Sequence, residues 1–298
     1  MSSSLSWRET IISQLVKITG YSAIGFVILI FYFLISEGLP TIWKVPLQNL
    51  VSTRWYPIEG YYGILPLIFG SIIVTAGAIA FALPIGVCSA VFIAEVAPRW
   101  TRDILKPIVE ILAGIPSVVL GFLGMTLLAP SLRSISDIPT GLSALTGSIL
   151  LGGIALPTII SVAEDALDAV PRSYREASLA LGATSWQTIW IVTLPAARSG
   201  VLTAVMLGIG RAIGETMTVM MVTGNAPLIS GIFSAFFLPV RTMTATIAAE
   251  MGEVATDSVH YNVLFFIGIV LFLITMAINL TASAVIFRAR KRQERILS

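Results

Sequence analysis

Long apolar segments dominate the sequence and restrict the chain to folds that a membrane can hold. A bilayer-spanning helix needs about 20 apolar residues, and six segments meet that length: residues 18–36, 64–94, 107–129, 141–163, 200–224 and 262–287. Each segment is continuously apolar, whereas the strands of a membrane barrel alternate in polarity, so helices are the expected spanning structure. We therefore predict an all-α, polytopic membrane protein with six transmembrane helices.

The composition excludes several other classes of protein. Hydrophobic residues make up 56% of the 298 residues and charged residues only 11%, which is too apolar for a soluble domain. The net charge of +2 gives no basic patch for nucleic acid. Cys88 is the single cysteine, so it has no intrachain disulfide partner and is expected to be a packing residue. The first apolar segment lacks a signal-peptide cleavage pattern after it, which predicts a retained helix.

The distribution of lysine and arginine predicts the orientation of the chain. Of the 18 such residues, Arg211 lies within a segment, and Lys44, Arg54, Arg133 and Arg241 fall on one side. The remaining thirteen fall on the side that holds both termini, which is therefore expected to be cytoplasmic. The basic tail, residues 288–295, is typical of a stop-transfer anchor near lipid headgroups.

Arg211 and Glu215 place two charges near the middle of the fifth segment. In one continuous helix they would share a face about 6 Å apart, and each charge costs about 3 kcal/mol on insertion scales. Such residues usually face a polar pathway, and a guanidinium suits an oxyanion such as phosphate or sulfate. We expect Glu215 to hold Arg211 in position. The alternative is an internal ion pair that only eases insertion into the membrane.

Between the fourth and fifth segments lies the longest stretch expected to be cytoplasmic. This stretch contains signals for helix starts and ends: Ser173 with Glu176 as one capping box, Gly182 as a left-handed stop, and Thr184 with Gln187 as a second capping box. They predict two short helices, joined by a glycine turn, that end before Pro195. Such a hairpin either docks a cytosolic partner or is a plain connector.

On the other side, Asn225 to Tyr261 form an external segment. Its apolar stretch LISGIFSAFFLPV is too short to span and predicts a re-entrant or interfacial element. His260 is the single histidine and is expected to be a surface residue near Glu253 and Asp257, since no other histidine or cysteine can complete a metal site with it. The sequence lacks GxxxxGK[ST] and GxSxG, so neither P-loop ATP hydrolysis nor a serine hydrolase is predicted.

The hairpin carries a recognisable pattern. Its Glu176-Ala177-Ser178, Gly182, Val192 and Leu194-Pro195 resemble the EAA loop of ABC importer permeases, with every spacing kept. Ser178 in place of alanine and Val192 in place of isoleucine are the two departures. YGILPLIFGSIIVT, FIAEVAPRW, ILAGIPSVVLGF, LGIGRAIGETM and ATIAAEMGE further resemble the C-type permeases of phosphate-specific ABC importers, and the likeness runs from about Tyr62 almost to the end of the chain.

This resemblance implies the ABC importer type I permease fold, with a core at residues 64–298 preceded by an N-terminal part at 1–63 and an EAA loop at 173–195. It implies a heterodimer with an A-type phosphate permease, two copies of a cytosolic ATPase and an external phosphate-binding protein. Arg211 and Glu215 would line the phosphate pathway, while Glu176, Ala177 and Gly182 would dock the ATPase. No catalytic residue, metal or cofactor is expected. Another oxyanion such as sulfate or molybdate, a secondary transporter and a structural or sensing subunit remain open alternatives.

Overall fold

The structure, a computed structural model, describes residues 3–136 and 140–297. Its helices are α1 (Ser3–Gly38), α2 (Thr41–Lys44), α3 (Leu47–Leu50), α4 (Leu65–Val91), α5 (Arg99–Gly114), α6 (Ser117–Leu123), α7 (Ala129–Ser136), α8 (Ala144–Asp168), α9 (Arg172–Ala180), α10 (Ser185–Thr188), α11 (Leu194–Ala196), α12 (Arg198–Gly214), α13 (Met217–Val222), α14 (Ile232–Phe237), α15 (Met243–Glu250) and α16 (Val259–Leu297). Two short strands, β1 (Trp55–Tyr56) and β2 (Tyr61–Tyr62), pair antiparallel across a 3₁₀ turn (Pro57–Glu59). Wider π-helical turns occur at Phe92–Val96, Gly124–Leu128 and Ile189–Thr193.

The prediction of an all-α membrane protein is confirmed. Within the described residues, five helices are long and apolar enough to cross a membrane: Glu9–Lys44, Leu65–Val96, Ser117–Ile135, Ala144–Asp168 and Val259–Ala284. The number rises to six when Ser185–Ala196 and Arg198–Gly214, which meet at an angle of 71°, are counted as one bent span. Length and composition thus support five or six spans.

The third predicted segment, residues 107–129, is not one continuous helix. The α5 helix ends at Gly114, Ile115 is extended (φ −66°, ψ 127°), and α6 begins after Pro116. The physical cause is Pro116, because its ring clashes with a helical residue before it. The apolar segment is therefore divided between α5 and the candidate span that begins at Ser117.

The packing centre is formed by α4 and α8, with α12 lying against both. Glycines let these helices approach closely. A methyl group at Gly86 of α4 or at Gly208 of α12 would come within 2.7 Å or 2.5 Å of the Ile159 side chain on α8. Ile159 is completely buried. A single side chain of α8 thus fills the space left by glycine on two neighbouring helices.

Two ends of the bundle differ in construction. At one end, which we call the hairpin end, α9 and α10 follow α8. At the opposite end, residues 39–64 and 238–264 pack around a hydrophobic cluster that includes Leu50, Trp55 and Leu264. The short α14 helix also lies at this opposite end, against α4 and α8, which confirms that the apolar stretch after Asn225 does not span. The α1 helix lies against α16, and the side chains of residues 288–297 are outside the described part.

Candidate translocation site and docking hairpin

Arg211 lies one turn before the end of α12 and reaches two other helices. Its Nη1 donates to Oγ1 of Thr158 on α8 at 2.9 Å, and its Nη2 lies 3.5 Å from the carbonyl oxygen of Ala113 near the end of α5. Within residues 3–136 and 140–297 it forms no salt bridge, and its side chain is exposed. Since both acceptors are uncharged, the positive charge of Arg211 is not neutralised by its partners.

Glu215 does not share a helix face with Arg211, so that expectation is wrong. The α12 helix ends at Gly214, and Glu215 is extended (φ −69°, ψ 131°). Its Oε1 accepts from the backbone N–H of Thr216 at 3.2 Å and of Thr218 at 3.4 Å. The carboxylate therefore caps the start of α13, where helical N–H groups lack intrahelical partners, instead of holding Arg211.

The fifth predicted segment, residues 200–224, is consequently divided into α12 and α13. The sequence Gly214-Glu215-Thr216 contained a signal for this break. Glycine often ends a helix, and threonine is favoured at the start of the next one. We missed it because the flanking residues are so apolar. Such a break leaves backbone N–H groups without intrahelical partners, and the Glu215 carboxylate accepts hydrogen bonds from two of them.

The breaks after α5 and α12 are joined by hydrogen bonds. Oγ1 of Thr218 in α13 donates to the carbonyl oxygen of Ser117 in α6 at 2.9 Å, and Oγ1 of Thr244 in α15 donates to the carbonyl oxygen of Glu215 at 3.1 Å. Arg211 contacts Ala113, just before the first break. Broken helices at membrane depth typically surround substrate sites. The geometry thus supports a polar site for an anion at Arg211.

The hairpin prediction is partly confirmed. Gly182 has φ +86°, the left-handed conformation expected at a helix stop. Thr184 and Gln187 form the predicted capping box: the N–H of Thr184 donates to Gln187 Oε1 at 2.8 Å, and the N–H of Gln187 donates to Thr184 Oγ1 at 3.3 Å. The capping box at Ser173 and Glu176 is wrong, because α9 begins directly after Pro171 without a side-chain cap.

The second helix of the hairpin is longer than predicted. It continues from α10 through the π-helical turn Ile189–Thr193 and α11 to Ala196, and only there does the chain bend toward α12. Pro195 lies within this continuous helix, shortly after the π-helical turn. The expectation that this helix ends before Pro195 was therefore wrong.

The surface of the hairpin combines apolar and charged residues. Glu176, Ala177 and Gly182 are all exposed. Large apolar side chains are exposed beside them: Tyr174, Leu179, Leu181, Trp186 and Trp190. Leu181, at the tip, is 90% exposed. An exposed apolar patch with a charged rim is typical of a protein-docking surface.

His260 is not the surface residue that we expected. Its side chain is 21% exposed, and its Nε2 lies 2.8 Å from Oε2 of Glu250. Arg241 pairs with the same carboxylate, and Trp55 Nε1 donates to it at 3.2 Å. Burial acts to raise the pKa of Glu250, but the bonds from His260 and Trp55 and the charge of Arg241 hold it below its usual value. Long-range packing, which the sequence alone does not reveal, unites these four residues at the opposite end.

Comparison with known proteins identifies relatives along most of the chain. Residues 82–293 match the family model described as "Binding-protein-dependent transport system inner membrane component". The probable ABC transporter permease protein YqgH of Bacillus subtilis is 43% identical over 76% of this chain and 73% of its own length. The phosphate transport system permease protein PstC of Xylella fastidiosa is 33% identical over 91% of this chain and 90% of its own.

Solved structures support the fold. A chain of a bacterial alginate ABC transporter, crystallised with an alginate-bound periplasmic protein, superposes with a TM-score of 0.63. The alignment covers 93% of this chain and 95% of that one, at 16% identity. At this identity the likeness concerns the fold alone, and it agrees with the expected ABC importer type I permease fold.

Proposed function

The chain belongs to the family of binding-protein-dependent transport system inner membrane components, and we propose that it is the permease subunit of an ATP-driven phosphate importer. The observation that carries this function is the Arg211 guanidinium, which lies between two broken helices and whose partners in the described part of the chain are uncharged. A relative named as a phosphate transport permease, similar over almost the full length of both chains, supports phosphate as the anion. The chain would form half of the translocation pathway.

The proposed pathway uses Arg211 and Glu215 in different ways. Arg211 supplies N–H donors and positive charge to the passing anion, as a guanidinium does for phosphate. Glu215 keeps the start of α13 ordered and adds a negative charge near the route. A site that binds an ion too strongly does not release it, so this carboxylate would weaken retention of phosphate and promote its release.

The assembly that we propose has four kinds of component. The exposed Glu176, Ala177 and Gly182 of the hairpin would dock a cytosolic ATPase present in two copies. The hairpin end and both termini would therefore lie in the cytoplasm. An A-type phosphate permease would complete the pathway as a heterodimer partner, and an external phosphate-binding protein would deliver the ion to the opposite end. The whole would lie in the inner membrane, with lipid around the spans.

Anion competition in a reconstituted complex tests the substrate. The chain, the sister permease and the ATPase are placed in liposomes with the binding protein, and ATP-dependent uptake of labelled phosphate is measured. Unlabelled phosphate should suppress uptake, whereas equal sulfate or molybdate should not. No uptake of labelled phosphate, together with ATP-dependent uptake of labelled sulfate or molybdate by the same complex, would instead identify another oxyanion importer. Uptake without ATP would contradict the ABC mechanism and indicate a secondary transporter.

The docking role has its own test. We expect Glu176→Lys and Gly182→Val to reduce copurification of the ATPase. The first reverses a charge on the exposed surface, and the second introduces a β-branched residue at φ +86°. Glu59→Lys, an exposed reversal at the opposite end, is the matched control and should not change copurification. Normal ATPase recovery with both hairpin variants would place docking on another surface.

A further inference from the structure

Arg175 lies next to Glu176 on α9, but its side chain points to the other side, toward the membrane-spanning helices. Its Nε donates to both carboxylate oxygens of Glu95 at 3.1 and 3.2 Å, and its Nη2 donates to Glu95 Oε1 at 2.6 Å. Nη1 donates to the carbonyl oxygen of Val170 at 2.7 Å, and Nη2 to that of Leu167 at 2.8 Å. All three guanidinium nitrogens are therefore engaged.

These contacts join separate elements of the fold. Glu95 lies in the π-helical turn that ends α4, whereas Leu167 lies in the last turn of α8 and Val170 just after it. The carboxylate of Glu95 is 8% exposed and the Arg175 side chain 21% exposed. A bidentate arginine pair with this burial fixes distance and orientation more tightly than an exposed pair. Arg175 thus connects α9 to the ends of both central helices.

The same end of α8 is bonded to α5. Glu164 of α8 is 2% exposed and accepts from Arg102 at 2.6 Å and from Lys106 at 2.9 Å. Arg102 also pairs with Asp168. At its other end, α5 offers the carbonyl oxygen of Ala113 to Arg211. Polar contacts, together with the helices α8 and α5 between them, therefore link the hairpin to the candidate translocation site.

We propose that Arg175 and Glu95 form a clamp that makes the hairpin and the ends of α4 and α8 move as one body, so that ATPase movement reaches the translocation site. This inference rests on the proposed function. Arg175 is a positioning residue, because it neither contacts the anion nor belongs to the exposed docking surface. Energetic coupling between distant sites is carried by hydrogen-bond and salt-bridge networks and by rigid secondary-structure elements, and an arginine with every nitrogen bonded is a connection of this kind.

The clamp predicts a specific defect in the full reconstituted complex. In Glu95→Gln the side chain keeps its shape and the carbonyl contacts of Arg175 are preserved, but the ionic attraction is lost. We expect normal ATPase copurification and continued ATP hydrolysis, with phosphate transported per ATP reduced about fivefold, the lower range of measured coupling effects. Arg175→Lys should give a similar loss, because one ammonium cannot satisfy both the carboxylate and the two carbonyl groups.

Arg172→Gln is the matched control, since Arg172 is an exposed arginine on the same helix and should leave the transport ratio unchanged. An unchanged ratio in both clamp variants would overturn the proposal, and so would loss of ATPase binding, which would make the pair part of the docking surface. The absence of ATP-dependent phosphate uptake in the unmodified complex would instead overturn the proposed function.

Amide hydrogen exchange tests the clamp independently of phosphate transport. In the full complex, we expect the amides of α9 and of the turn Phe92–Val96 to exchange faster in Glu95→Gln, because the hairpin separates from the spans more often. Arg172→Gln should show the exchange of the unmodified protein. Equal exchange in all three proteins would contradict the clamp, whatever the transport assay shows.

Discussion

Arg211 and Arg241 are found in opposite surroundings, although both lie in largely apolar parts of the chain. Arg241 is 16% exposed and pairs with Glu250, which also contacts His260. Arg211 is exposed, and its hydrogen-bond partners among the described residues are a hydroxyl and a carbonyl oxygen. The charge of Arg241, which stabilises the fold, is balanced by a carboxylate of the fold. The charge of Arg211 is not balanced in this way and is available to a ligand. This difference distinguishes the candidate site from the structural cluster at Arg241.

The largest expected effect is the loss of transport in Arg211→Gln. Removal of the positive charge from the site should reduce phosphate uptake by about 100-fold or more, the scale for losing a charged hydrogen-bond donor. Membrane insertion should remain normal, because Arg211 takes part in no structural ion pair of the described residues. Uptake of labelled phosphate and the amount of protein in the membrane are measured together.

Arg198→Gln is the matched control for this experiment. Arg198 is an exposed arginine in the first turn of the same helix, and its variant should transport normally. Near-normal uptake by Arg211→Gln would remove the pathway role from Arg211. Poor insertion of Arg211→Gln would show that Arg211, like Arg241, serves the fold, and the contrast between the two arginines would not hold.

The second effect is a loss of stability in Arg241→Gln, without a direct effect on the anion site. Breaking a partly buried pair leaves Glu250 without its arginine, and we expect the free energy of unfolding to fall by about 2 kcal/mol, below the range for fully buried pairs. Thermal unfolding in detergent measures this change. The exposed pair of Arg54 and Glu59 is the control, and Arg54→Gln should cost less than about 1 kcal/mol.

The opposite outcome would be equally informative. If Arg241→Gln unfolds at the same temperature as the unmodified protein but transports poorly, then the Arg241 cluster acts in transport. The structural assignment of this cluster would then be wrong.

How far the sequence predicts these two regions depends on the range of the interactions. Apolar length is a local property, so the helical class and most span positions follow from it. The Thr184 and Gln187 capping box and the Gly182 stop are also local, and the structure confirms them. The break at Pro116 and the cap at Glu215 were not predicted, because the residues on both sides of each break are as apolar as those of an uninterrupted span. Pairs such as Glu95 with Arg175 join residues distant in sequence and require the folded chain.

A third prediction compares two carboxylates. Glu215 caps backbone N–H groups, whereas Glu250 pairs with a cation. An amide oxygen can accept the same N–H bonds, so Glu215→Gln should retain the α13 start, and Glu215→Ala should lose about 1 kcal/mol, the usual value of a cap. Thermal unfolding of the two variants separates these cases. Equal loss in both would indicate that the negative charge of Glu215, rather than its capping bonds, stabilises the region.

The smallest expected effect is on the pH dependence of stability in acid. Burial acts to raise the pKa of Glu250, but His260, Arg241 and Trp55 hold it below the usual value of about 4.5 in the folded chain, so the unfolded chain binds the proton more readily than the folded chain. The stabilisation is therefore complete above about pH 4.5 and is lost as the pH falls through the folded-state pKa. Unfolding temperatures between about pH 6 and pH 3.5 should decline less steeply in Glu250→Gln than in the unmodified protein, because one carboxylate no longer titrates. Glu59→Gln, which alters an exposed pair, should leave the slope unchanged, and parallel curves for all three proteins would show that the charge of Glu250 adds nothing to the stability of this end.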